Sequence, residues 1–282
     1  MRWNPTPDEL HELHRNLRRL RVELRPWKEG LRGSRRQVVR ESDRDLREVA
    51  RLIGEVRDLD VAQMVLDRLA RRHAVLELEG LPRIRRALAR RARSGRRLIP
   101  PAIDALRASG ALRAVEAVVL AELSGNEVER WSTIVRSTEE RTLSDLRRRF
   151  ERARRGRSAE RLHQLRQALR SAHLWADAYG LPTVPWFPEG LTEFQGDLGR
   201  LHDIWVTGEL LRDLPPGTRA RHWVGPMHAR FESRSHAVRK RLHEETIEAA
   251  VRRVVGDVTD TMSSAPVAPP EGMFRTRGGA WT

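Results

Sequence analysis

The stretch HELHRNLRRLR at residues 11–21 returns, degraded but in register, as HQLRQALRSAH at residues 163–173, 152 positions later. A second segment, GEVRDLDV at residues 54–61, returns as GRLHDIWV at residues 199–206 with an offset of 145. Two motifs that repeat in the same order rule out a chance match. The sequence therefore predicts two copies of one structural unit.

Composition predicts that this unit is helical. Leu, Ala, Arg and Glu dominate between Gly and Pro residues, and no alternating polar and apolar segments separated by Asn-Gly or Asp-Gly turns occur. We expect one compact all-α domain over residues 5–260, with a first repeat at about 5–125 and a second at about 157–260. Residues 262–282, rich in Pro, Ser, Gly and Ala, are predicted to be a disordered tail.

Capping patterns and glycines predict where the first helix of each copy begins and ends. Thr6 with Glu9 has the pattern of a capping box, so a first helix is expected to start there and to run toward Pro26. The second copy is expected to start near Ser158, and its first helix is expected to end at Gly180. An irregular, proline-rich loop should follow.

The second motif of each copy is interpreted as a turn between two helices. Gly54 and Gly199 are predicted to cap the C-termini of helices, and Asp58 and Asp203 to cap the N-termini of the helices that follow. One further long helix is predicted over about residues 226–260.

The first motif carries an apolar ridge. Leucines at alternating steps of three and four fall on one helix face, which predicts burial inside a helical bundle. In the first copy these are Leu10, Leu13, Leu17, Leu20 and Leu24. In the second copy they are Leu162, Leu165 and Leu169.

A cationic ridge runs beside the leucines, about 100° round the helix. In the first copy it consists of His11, His14, Arg18, Arg21 and Arg25. In the second copy it consists of His163, Arg166, Arg170 and His173, with Asp177 in place of a fifth cation. The first ridge extends about 21 Å, which suits a linear polyanion better than a single phosphate. The alternative interpretation is a solvated helix face whose arginines pair with acidic residues of neighbouring helices.

The histidines admit three interpretations. His11 and His14 could form a metal pair, but neither copy supplies a complementary cysteine or a His-Glu-x-x-His arrangement, so no metal site is expected. A buried histidine bonded to a backbone carbonyl and a hydrogen-bond donor to phosphate are both left open. In the second case protonation should strengthen binding below neutral pH. Arg57 and His202, one residue before the two predicted N-caps, could reach the same groove.

The net charge of +15 and the pI near 11.4 indicate a polyanionic partner. Nearly all of the cationic residues are arginines, which suit bidentate contacts to phosphate oxygens. No run of about 18 apolar residues is long enough to span a bilayer, and no apolar signal segment follows the first methionine. A cytoplasmic location is therefore expected.

The sequence contains no indication of catalysis. Zero cysteines exclude disulfides, thiolate chemistry and cysteine-ligated metals, and there is no Walker loop, dinucleotide fingerprint or nucleophile elbow. Acidic residues are scattered through the predicted helices rather than grouped as a metal cage. We expect a protein without enzymatic activity or cofactor. A hydrolase acting on phosphate polymers is kept as an alternative that would require divalent metal and turnover.

The densest positive segment, Arg83 to Arg97, favours a different partner. Such a run can bind nucleic acid non-specifically through the phosphate backbone. It contains no interleaved aromatic residues of the kind that stack bases, which weakens the case for single-stranded RNA but leaves duplex binding open.

Together these motifs resemble the CHAD family, the conserved histidine α-helical domains, over about residues 5–260. The family signature is a helix of the form His-x-x-Arg-x-x-x-Arg-Arg-Leu-Arg followed by Leu-Gly-x-x-Arg-Asp. The first copy matches it at His11, Arg18, Arg19, Leu20, Arg21, Gly54, Arg57 and Asp58, and departs at His14. The second copy matches it at His163, Arg166, Arg170, Gly199 and Asp203, and departs at Ser171, Ala172, His173 and His202.

The resemblance implies two four-helix bundles related by a pseudo-twofold axis, with a basic central groove that binds long-chain inorganic polyphosphate, and targeting to polyphosphate granules. No β-rich triphosphate-hydrolysing segment is present, which favours a stand-alone binding module. Nucleic-acid binding by the same basic surface remains the alternative. The expected binding residues are His11, His14, Arg18, Arg19, Arg21, Arg25, Arg57, His163, Arg166, Arg170, His173 and His202.

Overall fold

The computed structural model describes residues 5–72, 80–123, 128–179 and 188–261, and within these ranges the chain is helical without any strand. The predicted tail at 262–282 lies outside the described residues. The helices are α1 (Pro7–Glu23), α2 (Arg25–Gly30), α3 (Gly33–Arg72), α4 (Leu81–Arg96), α5 (Ile99–Ala108), α6 (Ala111–Leu123), α7 (Val128–Arg154), α8 (Ala159–Tyr179), α9 (Glu189–Arg212), α10 (Arg221–Arg241) and α11 (Glu245–Thr261).

The predicted start of α1 is confirmed. The hydroxyl of Thr6 accepts a hydrogen bond from the backbone N–H of Glu9 at 3.2 Å, and the Glu9 carboxylate accepts one from the Thr6 backbone at 2.7 Å. The helix ends at Glu23, and α2 begins two residues later with Pro26 in its first turn, where a missing N–H costs nothing.

The helix start predicted near Ser158 is confirmed as well. The α8 helix begins at Ala159, and the hydroxyl of Ser158 accepts a hydrogen bond from the Arg161 backbone at 3.2 Å. The last described residue of α8 is Tyr179, immediately before Gly180, the predicted end. Gly180 itself and most of the loop behind it lie outside the described residues.

The predicted turns at the second motif are wrong. Gly54 and Asp58 lie inside the 40-residue α3, and Gly199 and Asp203 lie inside α9, so neither glycine ends a helix and neither aspartate begins one. A helix-interior glycine costs only about 1 kcal/mol relative to alanine. Burial of apolar residues on both sides of Gly54, such as Ile53 and Val56, outweighs that cost.

The single long helix predicted over 226–260 is also wrong. Two helices occupy this region, α10 and α11, separated at residues 242–244. Pro226 lies inside α10, five residues after its first residue, rather than at a helix start.

The buried apolar residues form three clusters, and several helices, α3 and α9 among them, contribute to two. The first cluster joins α1, α2, the N-terminal half of α3, α5 to α7 and, through Trp175, α8. The second joins α7, α8, the N-terminal half of α9, α10 and α11. The third joins the C-terminal halves of α3 and α9 with α4 and α10. Among the described helices, none combines the length and the apolar character that crossing a bilayer requires.

The leucine ridges are buried, as predicted. Leu10 and Leu24 are fully inaccessible to solvent in the first cluster, and Leu162, Leu165 and Leu169 are buried in the second. With these faces packed inward, α1 contacts both α3 and α8, and α3 and α8 both contact α9. The four helices that carry the two repeated motifs are therefore neighbours.

Candidate functional site

Helices α1, α3, α8 and α9 bring cationic side chains from both copies of the motifs together. We call this group the central cluster; it consists of His14, Arg18, Arg57, Arg166, Arg170 and His202. Each member lies close enough to others to influence their protonation. The charge of Arg18, for example, acts on His14 from the same helix and on Arg170 and His202 from other helices.

The guanidinium groups of the central cluster are crowded and partly desolvated. Burial, followed by the charges of Arg166 and Arg57, lowers the pKa of Arg18 to about 10. Burial, followed by the charges of Arg18 and Arg166, lowers the pKa of Arg170 to about 9. In the described part of the chain, none of the four arginines makes an ion pair with a carboxylate within 4.0 Å. Arg18 and Arg170 therefore remain charged at neutral pH without a carboxylate at ion-pair distance.

Two carboxylates lie near the central cluster and compensate its positive charge only in part. Burial raises the pKa of Asp58, although Arg57 acts in the opposite direction. Burial also raises the pKa of Asp203, against the charge of Arg166. Four guanidinium groups therefore face two carboxylates, and the site keeps an excess of positive charge.

The two histidines of the central cluster are neutral, and His14 is buried while His202 is half-buried. Burial, followed by the charge of Arg18, lowers the pKa of His14 to about 3, and burial followed by Arg166 lowers the pKa of His202 to about 3. His14 is 4% exposed, and its Nδ1 is buried without a hydrogen-bond partner, so the interpretation in which a backbone carbonyl satisfies it is wrong at this atom. Within the described ranges, no three histidine or carboxylate side chains group as metal ligands would.

The imidazole of His14 packs on α3 at the glycine in the first copy of the second motif. A Cβ added to Gly54 would lie 3.4 Å from the Cε1 of His14, an ordinary van der Waals contact. An alanine would therefore fit here, and no close approach requires a glycine at this position. A Cβ at Gly199 would meet nothing within 4 Å, and no contact explains that glycine.

An aromatic pair and an exposed tryptophan border the central cluster on the side of the second copy. The rings of His163 and His202 are 5.0 Å apart, and Trp205 lies 6.0 Å from His202 and 6.2 Å from His163. Trp205 is 44% exposed. Sequence reasoning missed this residue, although it stands three positions after His202 in the repeated motif.

Four of the predicted binding residues have partners outside the central cluster. Arg19 pairs with Glu23 at 2.8 Å, and Arg21 pairs with Asp43 at 2.9 Å. The other two make contacts at α8. Arg25 donates to the hydroxyl of Ser171 on α8 at 2.6 Å, and His173, itself on α8, lies 3.3 Å from Gln195 and 3.7 Å from Asp177.

His11 and His163 lie at the edge of the central cluster. His11 is exposed, and burial together with Arg57 and Arg170 lowers its pKa. His163 lies 2.7 Å from Gln167, and burial together with Arg166 lowers its pKa. Both histidines therefore border the site that the more buried residues form.

The basic segment Arg83 to Arg97 is largely on α4, where acidic partners neutralise part of it. Arg96 makes two hydrogen bonds to Asp60, at 2.6 and 2.8 Å, and Arg85 pairs with Asp67. The remaining arginines of this face, including Arg90 and Arg91, are exposed.

Comparison with known proteins agrees with the helical architecture. The sequence model of the CHAD domain matches residues 2–212, which end with α9. Among solved structures, the chain is similar to the crystal structure of the CHAD domain from the plant Ricinus communis, with a TM-score of 0.63 and 20% identity over 84% of this chain and 82% of that one. No curated protein matches the sequence.

Proposed function

The chain belongs to the CHAD family, and from this premise and the geometry of the central cluster we propose that it binds inorganic polyphosphate without catalysing a reaction on it. The observation that carries the proposal is the convergence of four arginines with no carboxylate within ion-pair distance in the described part of the chain. Bound phosphate oxygens would supply the missing negative charge through charge-assisted hydrogen bonds, which guanidinium groups can make in pairs.

The extent of the cationic surface favours a polymer over a single phosphate group. Arg18 and Arg170 come from two different helices of the central cluster, and the cationic ridge of the first copy continues past the end of α1 to Arg25, the first residue of α2. Within α1 alone, from His11 to Arg21, the ridge covers about 15 Å. A linear chain of phosphates can satisfy cations distributed over such a distance, whereas one phosphate group cannot.

The neutral histidines support the same ligand. His14 and His202 are held uncharged by burial and by the neighbouring arginines, so each can donate one N–H without adding to the charge repulsion of the free protein. An anion placed among the arginines would reverse the local field and favour protonation. The histidines would then strengthen binding as the pH falls.

We also propose that the protein acts as a binding module in the cytoplasm and associates with polyphosphate granules. In this role the polymer is held and not cleaved. Release of phosphate above background from long-chain polyphosphate, with Mg²⁺ or Mn²⁺ present, would instead support the hydrolase alternative.

The duplicated architecture belongs to the same proposal: two four-helix bundles related by a pseudo-twofold axis, with the central cluster between them. Its support is the matching placement of the motifs, since α1 and α8 carry the first motif and α3 and α9 the second. The third apolar cluster, which joins α3 to α9, would then connect the two copies.

The test is a double charge reversal, Arg18→Glu with Arg170→Glu, measured against long-chain polyphosphate. We expect the affinity to fall by about 100-fold or more, because at least two charge-assisted hydrogen bonds are lost. The matched control is Arg90→Glu with Arg91→Glu, which changes the net charge equally on the exposed face of α4. Equal affinity losses in the two variants, or none in the first, would contradict the proposal.

The second candidate function is nucleic-acid binding, which the exposed arginines of α4 and the exposed Trp205 favour. It predicts that length-matched RNA or DNA binds as tightly as polyphosphate at physiological salt. It also predicts that the Arg90→Glu/Arg91→Glu variant loses more affinity than the Arg18→Glu/Arg170→Glu variant.

A further inference from the structure

A second basic region of the molecule is a cleft between α2 and α3 on one side and α7 and α8 on the other. Its volume is about 1110 Å³, somewhat larger than a typical small-molecule pocket. No member of the central cluster lines it. We call it the α3 cleft, and its cationic lining includes Arg25, Arg36, Arg40, Arg44, Arg141 and Arg149.

Most acidic groups of the α3 cleft are already engaged. Asp43, 4% exposed, holds Arg21 and Lys28 at 2.9 and 2.8 Å. Burial opposes its ionisation, but the hydrogen bonds from Lys28 and Arg21 outweigh burial and lower the pKa of Asp43. Glu29 and Asp145 are also paired, with Arg141 at 2.8 Å and Arg149 at 2.7 Å. Glu41 accepts a hydrogen bond from Gln37 and makes no ion pair in the described part of the chain.

Other cleft arginines are not matched in this way. Arg40 and Arg44 are exposed, and no carboxylate pairs with either of them in the part of the chain that the structure describes. With Arg36 and Arg47 they follow the spacing of one helix face, so α3 presents a stripe of guanidinium groups about 16 Å long along the cleft. Arg36 donates to the Lys28 carbonyl at 2.7 Å and Arg47 lies 3.4 Å from Asp43, so the unmatched charge of the stripe is that of its two middle arginines. A stripe of this length suits an extended anion.

The cationic ridge of the first copy leads from the central cluster to the α3 cleft. Arg18 belongs to the cluster, and Arg21, one turn later, pairs with the cleft residue Asp43. Arg25, one further turn along, lines the cleft and donates to Ser171, the neighbour of Arg170 on α8. Residues three or four apart on a helix have Cβ atoms about 5 to 6 Å apart, so Arg18 and Arg21 are neighbours on α1, and Arg25 follows at the start of α2.

We propose that the α3 cleft is a second subsite for the phosphate polymer, occupied only by chains long enough to extend beyond the central cluster along Arg21 and Arg25. This inference rests on the proposed function. It adds that affinity depends on chain length: a short polyphosphate contacts the central cluster alone, whereas a long one also contacts the arginine stripe of α3.

The test compares tripolyphosphate with long-chain polyphosphate on the variant Arg40→Glu/Arg44→Glu. Both side chains are exposed, so the fold should be retained, and circular dichroism checks this. We expect the affinity for the long chain to fall about tenfold or more, with the affinity for tripolyphosphate within a factor of about two of wild type. The milder variant Arg40→Gln/Arg44→Gln should show the same selectivity with a smaller loss.

The control is again Arg90→Glu/Arg91→Glu, which has the same net charge as the cleft variant. Equal loss for both polymers, equal loss in the control, or no loss for the long chain would overturn the inference. If the wild-type protein binds both polymers and only the Arg18→Glu/Arg170→Glu variant loses them, the cleft subsite alone is refuted. If the wild-type protein binds neither polymer, the proposed function is refuted and the inference with it.

Discussion

His14 shows at the scale of one residue how the site is arranged before a ligand binds. It is buried beside Arg18, Arg57 and Arg170, and its Nδ1 has no hydrogen-bond partner. Protonation would place a fifth positive charge among four arginines in a desolvated site. The protein therefore keeps the imidazole neutral, and its pKa of about 3 lies far below the ordinary value near 6.5.

We predict that this arrangement makes the free protein less stable as the pH falls. The pKa of His14 and of His202 is depressed on folding, so between pH 6.5 and about 3 the unfolded chain binds more protons than the folded chain. The free energy of unfolding should then fall by on the order of 1 kcal/mol per pH unit for each histidine. Thermal unfolding across this pH range measures it.

The comparison that isolates the effect is wild type against His14→Gln/His202→Gln. The nearby Asp58 and Asp203 have raised pKa values and act with the opposite sign, but they are present in both proteins and cancel in the difference. The stability of the variant should depend less on pH in this window. A parallel dependence in the two proteins would show that the histidines do not titrate as described.

The residues of the central cluster were largely predictable, and their neighbours on the ridge were not. Helical spacing identified His14, Arg18 and Arg170 because side chains on one helix face must share a surface. It could not show that Arg21 turns to Asp43, since that partner is 22 positions away on another helix. The pairing of Arg19 with Glu23 was visible in the sequence as an i, i+4 pair.

At the scale of the element, the interior glycines of α3 and α9 explain why the predicted turns were wrong. A glycine followed by an aspartate four residues later has the pattern of one helix ending and the next beginning. The same pattern is compatible with an uninterrupted helix when the flanking residues are buried, and Val56 and Leu201 are. Only tertiary packing distinguishes the two cases, and the sequence pattern does not contain it.

We predict that Gly199→Ala stabilises the protein. The residue lies inside α9, and the methyl group of an alanine there would project into open space, so the substitution removes backbone entropy from the unfolded state without a clash. The free energy of unfolding should rise by about 0.5 to 1 kcal/mol, as measured by chemical denaturation. Polyphosphate affinity should not change.

Gly54→Ala is the informative comparison for the first copy. Its new methyl group would lie 3.4 Å from the Cε1 of His14, an ordinary van der Waals contact, so the helical gain should be kept and the imidazole should stay in place. Chemical denaturation should show a stabilisation at least as large as that of Gly199→Ala, with polyphosphate affinity unchanged. A loss of stability or of affinity in Gly54→Ala alone would contradict the described packing of His14 on α3.

At the scale of the whole molecule, net charge and local charge have separable effects. A protein of net charge +15 attracts any polyanion, and this attraction weakens with salt. We predict that the logarithm of polyphosphate affinity falls linearly with the logarithm of salt concentration, and that Arg18→Glu/Arg170→Glu makes the slope shallower by roughly one to two, as expected for two lost phosphate contacts.

The Arg90→Glu/Arg91→Glu variant carries the same net charge and provides the reference slope. It should lose less of the salt dependence because its arginines do not contact the polymer in the proposed complex. Identical slopes in the two variants would mean that total charge, rather than the central cluster, governs the association.

The fold class was predictable from the sequence because helical periodicity and the repeated motifs are local or nearly local patterns. The sharing of helices between apolar clusters was not, because it depends on which faces of α3 and α9 meet. Sequence reasoning therefore found an all-helical protein and the helices that carry the site, but divided α3 in two.

The length of α3 bears on how the protein opens. Residues Val49 and Ile53 are buried in the first cluster and Leu66 and Leu69 in the third, so one unbroken helix belongs to both. If α3 leaves the first cluster, its packing in the third cluster is strained, and the reverse also holds. Local opening of one cluster therefore exposes apolar surface in both. The amide protons in the middle of α3 should consequently exchange with solvent only when the entire chain unfolds.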